Sequence, residues 1–334
     1  MKTIYMYPMW DKRELHDEHP YISALCLALT SDFDVVNYEK KPKLGILDIF
    51  LYLFKADVFY LNWIEDLALR KLGTLQSLAF VVFALLAKLF GKKIVWTHHN
   101  KSSHLSENQT NKYLVNFLLK TADYIVAHSK DSFAILHQKE LKHKILYFFH
   151  PFFSTSEKRT LVSDVPPKYD ILIWGNMRKS KGVHHFLQYL KETSQLEAYR
   201  LKIIGKFESA AFYEDVKKQY DSPTIEMDNR FIGEDELESL HASARFIFFP
   251  YTGKSVLNSG VLIRSLTFGI PIIGPNVGGF KDLKEAGLIQ VYNSFDDIPA
   301  LMNQSADGSL QQKISAFCAA HSWRNFVLFL KNYL

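Results

Sequence analysis

Asp170-Ile171-Leu172-Ile173-Trp174 runs directly into Gly175-Asn176-Met177-Arg178-Lys179-Ser180-Lys181-Gly182, an apolar strand entering a glycine-bounded loop with three cations in four positions. The residues after Gly182 read as a helix, so the stretch is a strand-loop-helix unit of the kind that builds parallel sheets. Loops at the carboxyl ends of such strands hold ligands, and this composition suits two phosphates. The same alternation continues through Leu201–Ile204, Thr224–Phe231, Phe246–Tyr251, Pro271–Gly274 and Leu288–Tyr292. Towards the N-terminus it recurs at Thr3–Tyr7, Val35–Tyr38, Val58–Trp63, Lys93–Thr97, Tyr124–His128 and Ile145–Phe149. Between the two sets, residues 154–168 are polar and contain Pro166-Pro167, which suits a linker. The expected fold class is therefore α/β with two Rossmann-like domains. Residues 1–153 form the first, 169–308 the second, and 309–334 a helical tail with Trp323, Phe326, Leu328 and Leu330 available to pack.

At 334 residues and 48% hydrophobic content the chain is too long for one minimal core and too apolar for disorder. Cys26 and Cys318 have neither CxxC nor metal-ligand spacing and read as buried bystanders of a reducing compartment. The first residues have no long apolar core or cleavage site, so a cytoplasmic protein is expected. Residues 1–150 carry 19 Lys and Arg against 15 Asp and Glu, and the remainder 21 against 20. The surplus thus lies in the first half and favours an acidic partner there. Leu44–Phe54 and Leu78–Phe90 are apolar but shorter than the roughly 20 residues that span a bilayer. Each reads either as a buried crossover element or as a monotopic patch. In the second case residues 44–93 would meet a membrane surface with Lys55, Lys71, Lys88, Lys92 and Lys93 beside them.

A second candidate loop is Tyr251-Thr252-Gly253-Lys254-Ser255-Val256-Leu257-Asn258-Ser259-Gly260. There Asn258 or Ser259 can cap a helix, and Gly260 lets an anion approach free amides. Arg178 and Lys181 would neutralise a diphosphate from the other side. In the first domain a strand ends in His98-His99-Asn100-Lys101-Ser102-Ser103-His104, where imidazoles can bond sugar hydroxyls or a leaving phosphate and move protons near neutral pH. Three histidines without a carboxylate or cysteine partner at ligand spacing argue against a metal. The stretch from Trp10 to Pro20 reads as a charged loop, and among its members His16, Asp17 and Glu18 are candidates for contact with an acceptor or for a general base. Asp32-Phe33-Asp34 spells DxD at a helix-to-strand junction and reads as chance. No GxGxxG follows the first strand, and GxxxxGK[ST], GxSxG and HExxH are missing, which disfavours nicotinamide enzymes, P-loop NTPases, serine hydrolases and zincins. The small charge excess and the lack of basic-aromatic interleaving disfavour nucleic acid.

Taken in order, these pieces resemble the GT-B glycosyltransferases related to the family-4 group, over nearly the whole chain. Gly175 to Gly182 resembles their G-R-x4-K-G phosphate loop. Phe231-Ile232-Gly233-Glu234-Asp235-Glu236-Leu237 is similar to the stretch beside the nucleobase, and Phe268 to Gly279 to "cGxPVIasdvGG". Ser322-Trp323 resembles the "SW" of the terminal helix. His99-Asn100 with His104, Pro20-Tyr21 and Phe149-His150-Pro151 fit particular subgroups. The resemblance implies two domains facing each other across a cleft, with the C-terminal helix crossing back to the first. It also implies a metal-independent hexosyltransferase without a cofactor, using a UDP- or GDP-linked donor. The acceptor would be a lipid-linked saccharide or oligosaccharide at the inner membrane face, in surface polysaccharide synthesis. Donor contacts would fall on Asn176, Arg178, Lys181, Arg230, Phe231, Tyr251, Asn258, Ser259, Gly260 and Arg264. His99, with Asp17 or Glu18, would serve catalysis, and Trp10, His16, Asn100 and His104 would face the acceptor. The family's two glutamates fall here on Val256 and Arg264, and its loop arginine on Asn176, so an inverting route with a first-domain base is compatible. A sugar-nucleotide epimerase or hydrolase, or a non-catalytic nucleotide-binding subunit, would share the same second domain.

Overall fold

The computed structural model describes residues 1–99, 109–137, 141–152, 166–252, 259–304 and 308–334, without the side chains of residues 16–18, 135 and 137. The chain divides into two compact units, Met1–Ser154 with Ala320–Leu334, and Thr155–Ala319. Residues 153–165, most of the expected linker, lie outside the described residues.

The first unit is a parallel sheet of β1 (Thr3–Tyr7), β2 (Asp34–Val35), β3 (Val58–Asn62), β4 (Lys93–His98), β5 (Tyr124–Ala127) and β6 (Ile145–Tyr147), in the order β2-β1-β3-β4-β5-β6. Its helices are α1 (Lys12–Glu18), α2 (Pro20–Leu29), α3 (Gly73–Leu89), α4 (Gln109–Thr121) and α5 (Lys130–His137). β3 is buried at all five positions, as expected for a central strand covered on both faces. Leu44–Phe54 forms a 3-10 segment, Gly45–Tyr52, and Leu78–Phe90 falls mainly within α3. The stretch Trp10–Pro20, expected as a loop, is helix instead. Asp11 caps α1 by accepting from the Glu14 amide, and Pro20 opens α2, where its missing N–H costs nothing.

The second unit contains β7 (Tyr169–Trp174), β8 (Leu201–Ile204), β9 (Ile225–Asp228), β10 (Ala244–Phe248), β11 (Ile272–Pro275) and β12 (Gln290–Tyr292), all parallel, in the order β12-β11-β10-β7-β8-β9. Its helices are α6 (Val183–Glu192), α7 (Ala210–Gln219), α8 (Glu234–Ala242), α9 (Gly260–Leu266), α10 (Gly278–Glu285), α11 (Ile298–Met302) and α12 (Leu310–Ala320). Read from β9, this is the doubly wound order of dinucleotide-binding sheets.

The tail, expected as one helix, is broken between α12 and α13 (Trp323–Lys331). Ser322 is the reason: its hydroxyl caps α13 by accepting from the Asn325 amide. The unit boundary falls at this break. α12 stays with the second unit, its Gln311 against the Gly269 turn, while α13 joins the first. There Trp323, Phe326, Val327 and Leu330 are buried in the same core as Ile22, Leu25, Cys26 and Leu29 of α2. Asp32 holds the outer edge by ion-pairing with Arg324 and with Lys331, the latter at 2.8 Å, and both cations draw its carboxyl below the usual range. The DxD-like triplet is thus a helix anchor. Cys26 is buried and Cys318 half-buried, and burial pushes both thiols up to about 12, which makes them unreactive.

Phe326 is fully buried, whereas Leu328 on the same helix is exposed. Urea denaturation of Phe326→Ala should show a loss of about 3–5 kcal/mol, and Leu328→Ala a change within about 0.5 kcal/mol.

Candidate functional site

In open parallel sheets the loops diverge where strand order reverses, and ligands bind outside the carboxyl ends at that point. The reversal lies between β7 and β10 in the second unit and between β1 and β3 in the first. Each unit is considered by itself.

After β7 the chain turns at Gly175, with φ +104°, where an added Cβ would lie 2.9 Å from Val261. Met177 is buried and bridges to Phe207, which leaves Asn176, Arg178, Lys179 and Ser180 exposed. The loop closes at Gly182, with φ +72°, where a Cβ would come within 2.0 Å of the Pro250 carbonyl oxygen just beyond β10. Only glycine admits that approach. It brings Lys181 to Tyr251: Nζ donates to the phenol oxygen at 2.5 Å and lies 4.0 Å from the ring centroid. The same phenol shares a hydrogen bond with Ser259 Oγ at 3.2 Å, and Ser259 caps α9 by accepting from the Leu262 amide. Ser265, further along α9, accepts from Trp174 Nε1 at 2.7 Å and so fixes α9 to the end of β7. A cation, a phenol, a hydroxyl and a helix start are thereby joined at the switch point.

Thr252 and Tyr251 also line a cavity of about 350 Å³ with Pro275, Asn276, Val277 and Tyr292, at the carboxyl ends of β10 to β12. A cavity of about 330 Å³ near Arg245, Pro271 and Leu288 opens at the amino ends of the same strands, where sheets of this class do not bind ligands. Beyond β9, Phe231 is 74% exposed, a free aromatic face. Arg230 pairs with Glu236, and Arg264 with the exposed Glu234 while lying over Phe268. Gly260 begins α9 with open space around it. Asn258 and Val256 lie outside the described residues.

In the first unit Asn62, at the end of β3, donates from Nδ2 to the Tyr7 carbonyl at 3.2 Å, which turns Oδ1 towards His99 Nε2 at 2.9 Å. His99 therefore carries its proton on Nε2 and presents Nδ1 as a lone pair. Trp63 stacks on the imidazole, with centroids 4.5 Å apart, and the Tyr21 ring meets it edge-on at 4.9 Å. His128, at the end of β5, donates from Nδ1 to the Phe148 carbonyl at 2.8 Å and accepts at Nε2 from Tyr21 at 2.9 Å. His150 lies 5.5 Å from it, centroid to centroid. Desolvation holds His99 well below its ordinary range, helped by the neighbouring histidines, and lowers His128 to about 3 and His150 to about 4. These rings are neutral hydrogen-bonding groups at pH 7. Burial thus favours the neutral form of His99, in which it can still bond a sugar hydroxyl.

Trp10 stacks on His19, with centroids 3.5 Å apart. Asn100 and His104 lie outside the described residues, as do the side chains of His16, Asp17 and Glu18. Among the described residues no group of three or more His, Cys, Asp or Glu is placed to hold a metal ion. Of the residues read only as strand ends, Asn62 and Trp63 turn out to orient His99, and His128 holds Tyr21 beside it. Buried Glu65 was also overlooked. It accepts from Trp96 Nε1 at 3.2 Å, and desolvation raises its carboxyl to about 7. The Glu65-Asp66 pair between apolar residues gives no periodic signal for which of the two is buried.

Residues 168–306 match the family described as Glycosyl transferases group 1. No curated protein matches the sequence. Among solved structures, Anabaena Alr3699/HepE in complex with UDP-glucose is 14% identical with a TM-score of 0.65, covering 100% of both chains. Trehalose-6-phosphate synthase OtsA is 10% identical with a TM-score of 0.64 over 99% and 98% of the two chains. The apo lipopolysaccharide outer core galactosyltransferase WaaB is 13% identical with a TM-score of 0.62 over 100% of both. Likeness at these identities establishes the fold.

Because His128 and His150 are neutral when folded and protonate near pH 6.5 when unfolded, the unfolded chain binds more protons below that pH. The stability they contribute is complete above about pH 6.5 and is lost as pH falls towards 4, at about 1.4 kcal/mol per pH unit for each histidine. Glu65 acts oppositely between about pH 4.5 and 7. Urea titrations from pH 7 to 5 should show His150→Asn flattening the slope by one histidine and Glu65→Gln steepening it. Residues 168–306 match the glycosyl transferases group 1 model, and the chain has the GT-B fold.

Proposed function

We propose that the chain is a metal-independent glycosyltransferase that moves a hexose from a UDP-linked donor to a saccharide acceptor. The observation that carries this reading is the Lys181–Tyr251–Ser259 chain at the reversal between β7 and β10. It combines a fixed cation with oriented hydroxyls where a diphosphate is expected, and such preorganised charge acts most strongly on a leaving group. Arg178 supplies a second, exposed cation, and Asn176, Ser259 and Gly260 add polar groups around the phosphates. Phe231 offers its open face to the base, with Arg230 beside it, and Arg264 borders the ribose side. Two supports come from similar folds: HepE structures contain UDP and UDP-glucose, and WaaB is a lipopolysaccharide galactosyltransferase. On that likeness UDP is preferred to GDP as the carrier, and the acceptor is a surface saccharide on a lipid carrier.

In the reaction the acceptor oxygen bonds to the anomeric carbon as the bond from that carbon to the diphosphate breaks. The electron pair leaves with UDP, towards Lys181. The acceptor proton passes to a base of the first unit, for which Asp17 and Glu18 are the candidates. Neutral His99, held by Asn62 and Trp63, takes a sugar hydroxyl proton in a hydrogen bond at Nδ1, and Trp10 provides an aromatic surface for the acceptor.

Thermal-shift titration with UDP, GDP, TDP, CMP and ADP, with and without a divalent cation, tests the donor site. Selective stabilisation by UDP without metal supports the reading, and no shift with any nucleotide overturns it. Donor alone should remain intact; rapid release or isomerisation of the sugar would instead indicate a hydrolase or epimerase. Lys181→Ala should lower kcat/KM about a hundredfold or more, as expected for loss of one preorganised donor to a leaving group.

A further inference from the structure

α3 is apolar on two opposite faces. Ser77, Phe80, Phe83, Ala84 and Ala87 are buried and pack inward. Leu75, Leu78, Val82, Leu85 and Leu89 recur at intervals of three and four, so they form one stripe, and all are exposed, Leu78 at 62% and Leu89 at 76%. The 3-10 segment Gly45–Tyr52 packs on α3 and repeats the pattern. Ile46 and Ile49 are buried, whereas Leu44, Leu51 and, just beyond the segment, Phe54 face out, Phe54 at 73%. Phe54 and Phe90 join the two elements, with ring centroids 5.0 Å apart. Scattered exposed leucines are ordinary in a folded protein, but a continuous apolar surface over two packed elements marks an interaction site.

The charges around this surface identify its occupant. Lys43 and Lys55 bracket the 3-10 segment, Lys71 precedes α3, and none of the three has a carboxylate partner among the described residues. At the other end, Lys88, Lys93, Lys120, His143 and Lys144 line a groove whose acid is Asp123, already paired with Lys88 at 2.5 Å. The neighbouring carboxylates are turned to local partners: Asp48 accepts from the Lys43 amide, and Asp57 from the Thr3 amide and hydroxyl. A second copy of the chain docking by two-fold symmetry would set this lysine-rimmed patch against itself, cation facing cation. A lipid surface carrying phosphates complements both the apolar centre and the basic rim.

We propose that this face of the first unit docks on an anionic lipid bilayer, with the leucine stripe and Phe54 sunk to the level of the acyl chains. Lys43, Lys55 and Lys71, together with the basic groove beyond α3, then lie at the headgroup phosphates. The attachment is monotopic, since among the described residues no helix is long and apolar enough to cross. The inference concerns a surface of the first unit alone and stands whether or not the transferase reading does.

The test is flotation of the full chain with vesicles of phosphatidylcholine alone and of an equal mixture of phosphatidylcholine and phosphatidylglycerol, with light scattering of the lipid-free protein. Wild type should float with the mixed vesicles and not with phosphatidylcholine. Lys55→Gln and Lys71→Gln should each weaken partitioning about fivefold, the equivalent of one lysine at an anionic surface. The triple variant Leu78→Ser, Leu85→Ser, Leu89→Ser should stay in the unbound fraction while still unfolding cooperatively, because those side chains are mostly exposed and the changes cost mainly helix propensity. Absence of flotation with both compositions overturns the proposal, as does equal flotation with both. So does a concentration-dependent dimer that the triple variant dissolves without any vesicle binding, which would make a second copy the occupant.

Discussion

Two reversals of strand order organise this molecule. A parallel sheet sends every connection to one edge or the other, and where the direction of growth changes the loops on either side part and leave backbone and side chains facing open space. In the second unit that gap separates β7 from β10, and in the first it separates β1 from β3. The cationic groups of the second unit stand at its gap; in the first unit Asn62 spans the gap, while His99 and His128 follow the neighbouring strands β4 and β5. Gly182 lets the β7 loop touch the end of β10, which is how Lys181 reaches Tyr251. Asn62 ties the ends of β3 and β1 together and sets the tautomer of His99. The second layer is equally specific: Ser265 locks α9 to Trp174, and Tyr292 donates to the Phe249 carbonyl to hold the backbone leading into Tyr251.

The two sites differ in electrostatic character, and the difference follows from burial. Lys181 is half-buried, and Arg178 and Lys179 are exposed, so they keep the solvation that a cation needs until a phosphate replaces it. His99, His128 and His150 sit among Trp63, Tyr21 and Trp323, where desolvation disfavours an added proton. The cationic loop of the second unit suits an anion, and the buried rings of the first suit neutral hydrogen-bonding groups.

Eleven of the twelve strands could be read closely from sequence because buried parallel strands leave short apolar, β-branched or aromatic runs; β2, expected over Val35–Tyr38, shares only Val35 with the observed Asp34–Val35. Their ends were less legible. Thr224–Phe231 shrinks to Ile225–Asp228, because nothing in the alternation marks where ladder hydrogen bonds stop. The helix at Lys12–Glu18 was hidden since a charged segment depends on its cap at Asp11, not on an apolar stripe. In the second unit Lys181 and Gly182 were recognisable as a local spacing, but the reason for the glycine, a carbonyl oxygen 68 residues away, was not. Trp63 and His128 could not be connected to His99 from sequence, because that contact joins three different strand ends.

The central claim is that the Lys181 chain grips the diphosphate. Calorimetric titration of the full protein with UDP and with uridine tests it most directly, since the two ligands share the base and ribose and differ in the phosphates. The account predicts that UDP binds at least tenfold more tightly than uridine, an advantage of about 1.4 kcal/mol or more. Equal affinity for the two, or binding of neither, would contradict it.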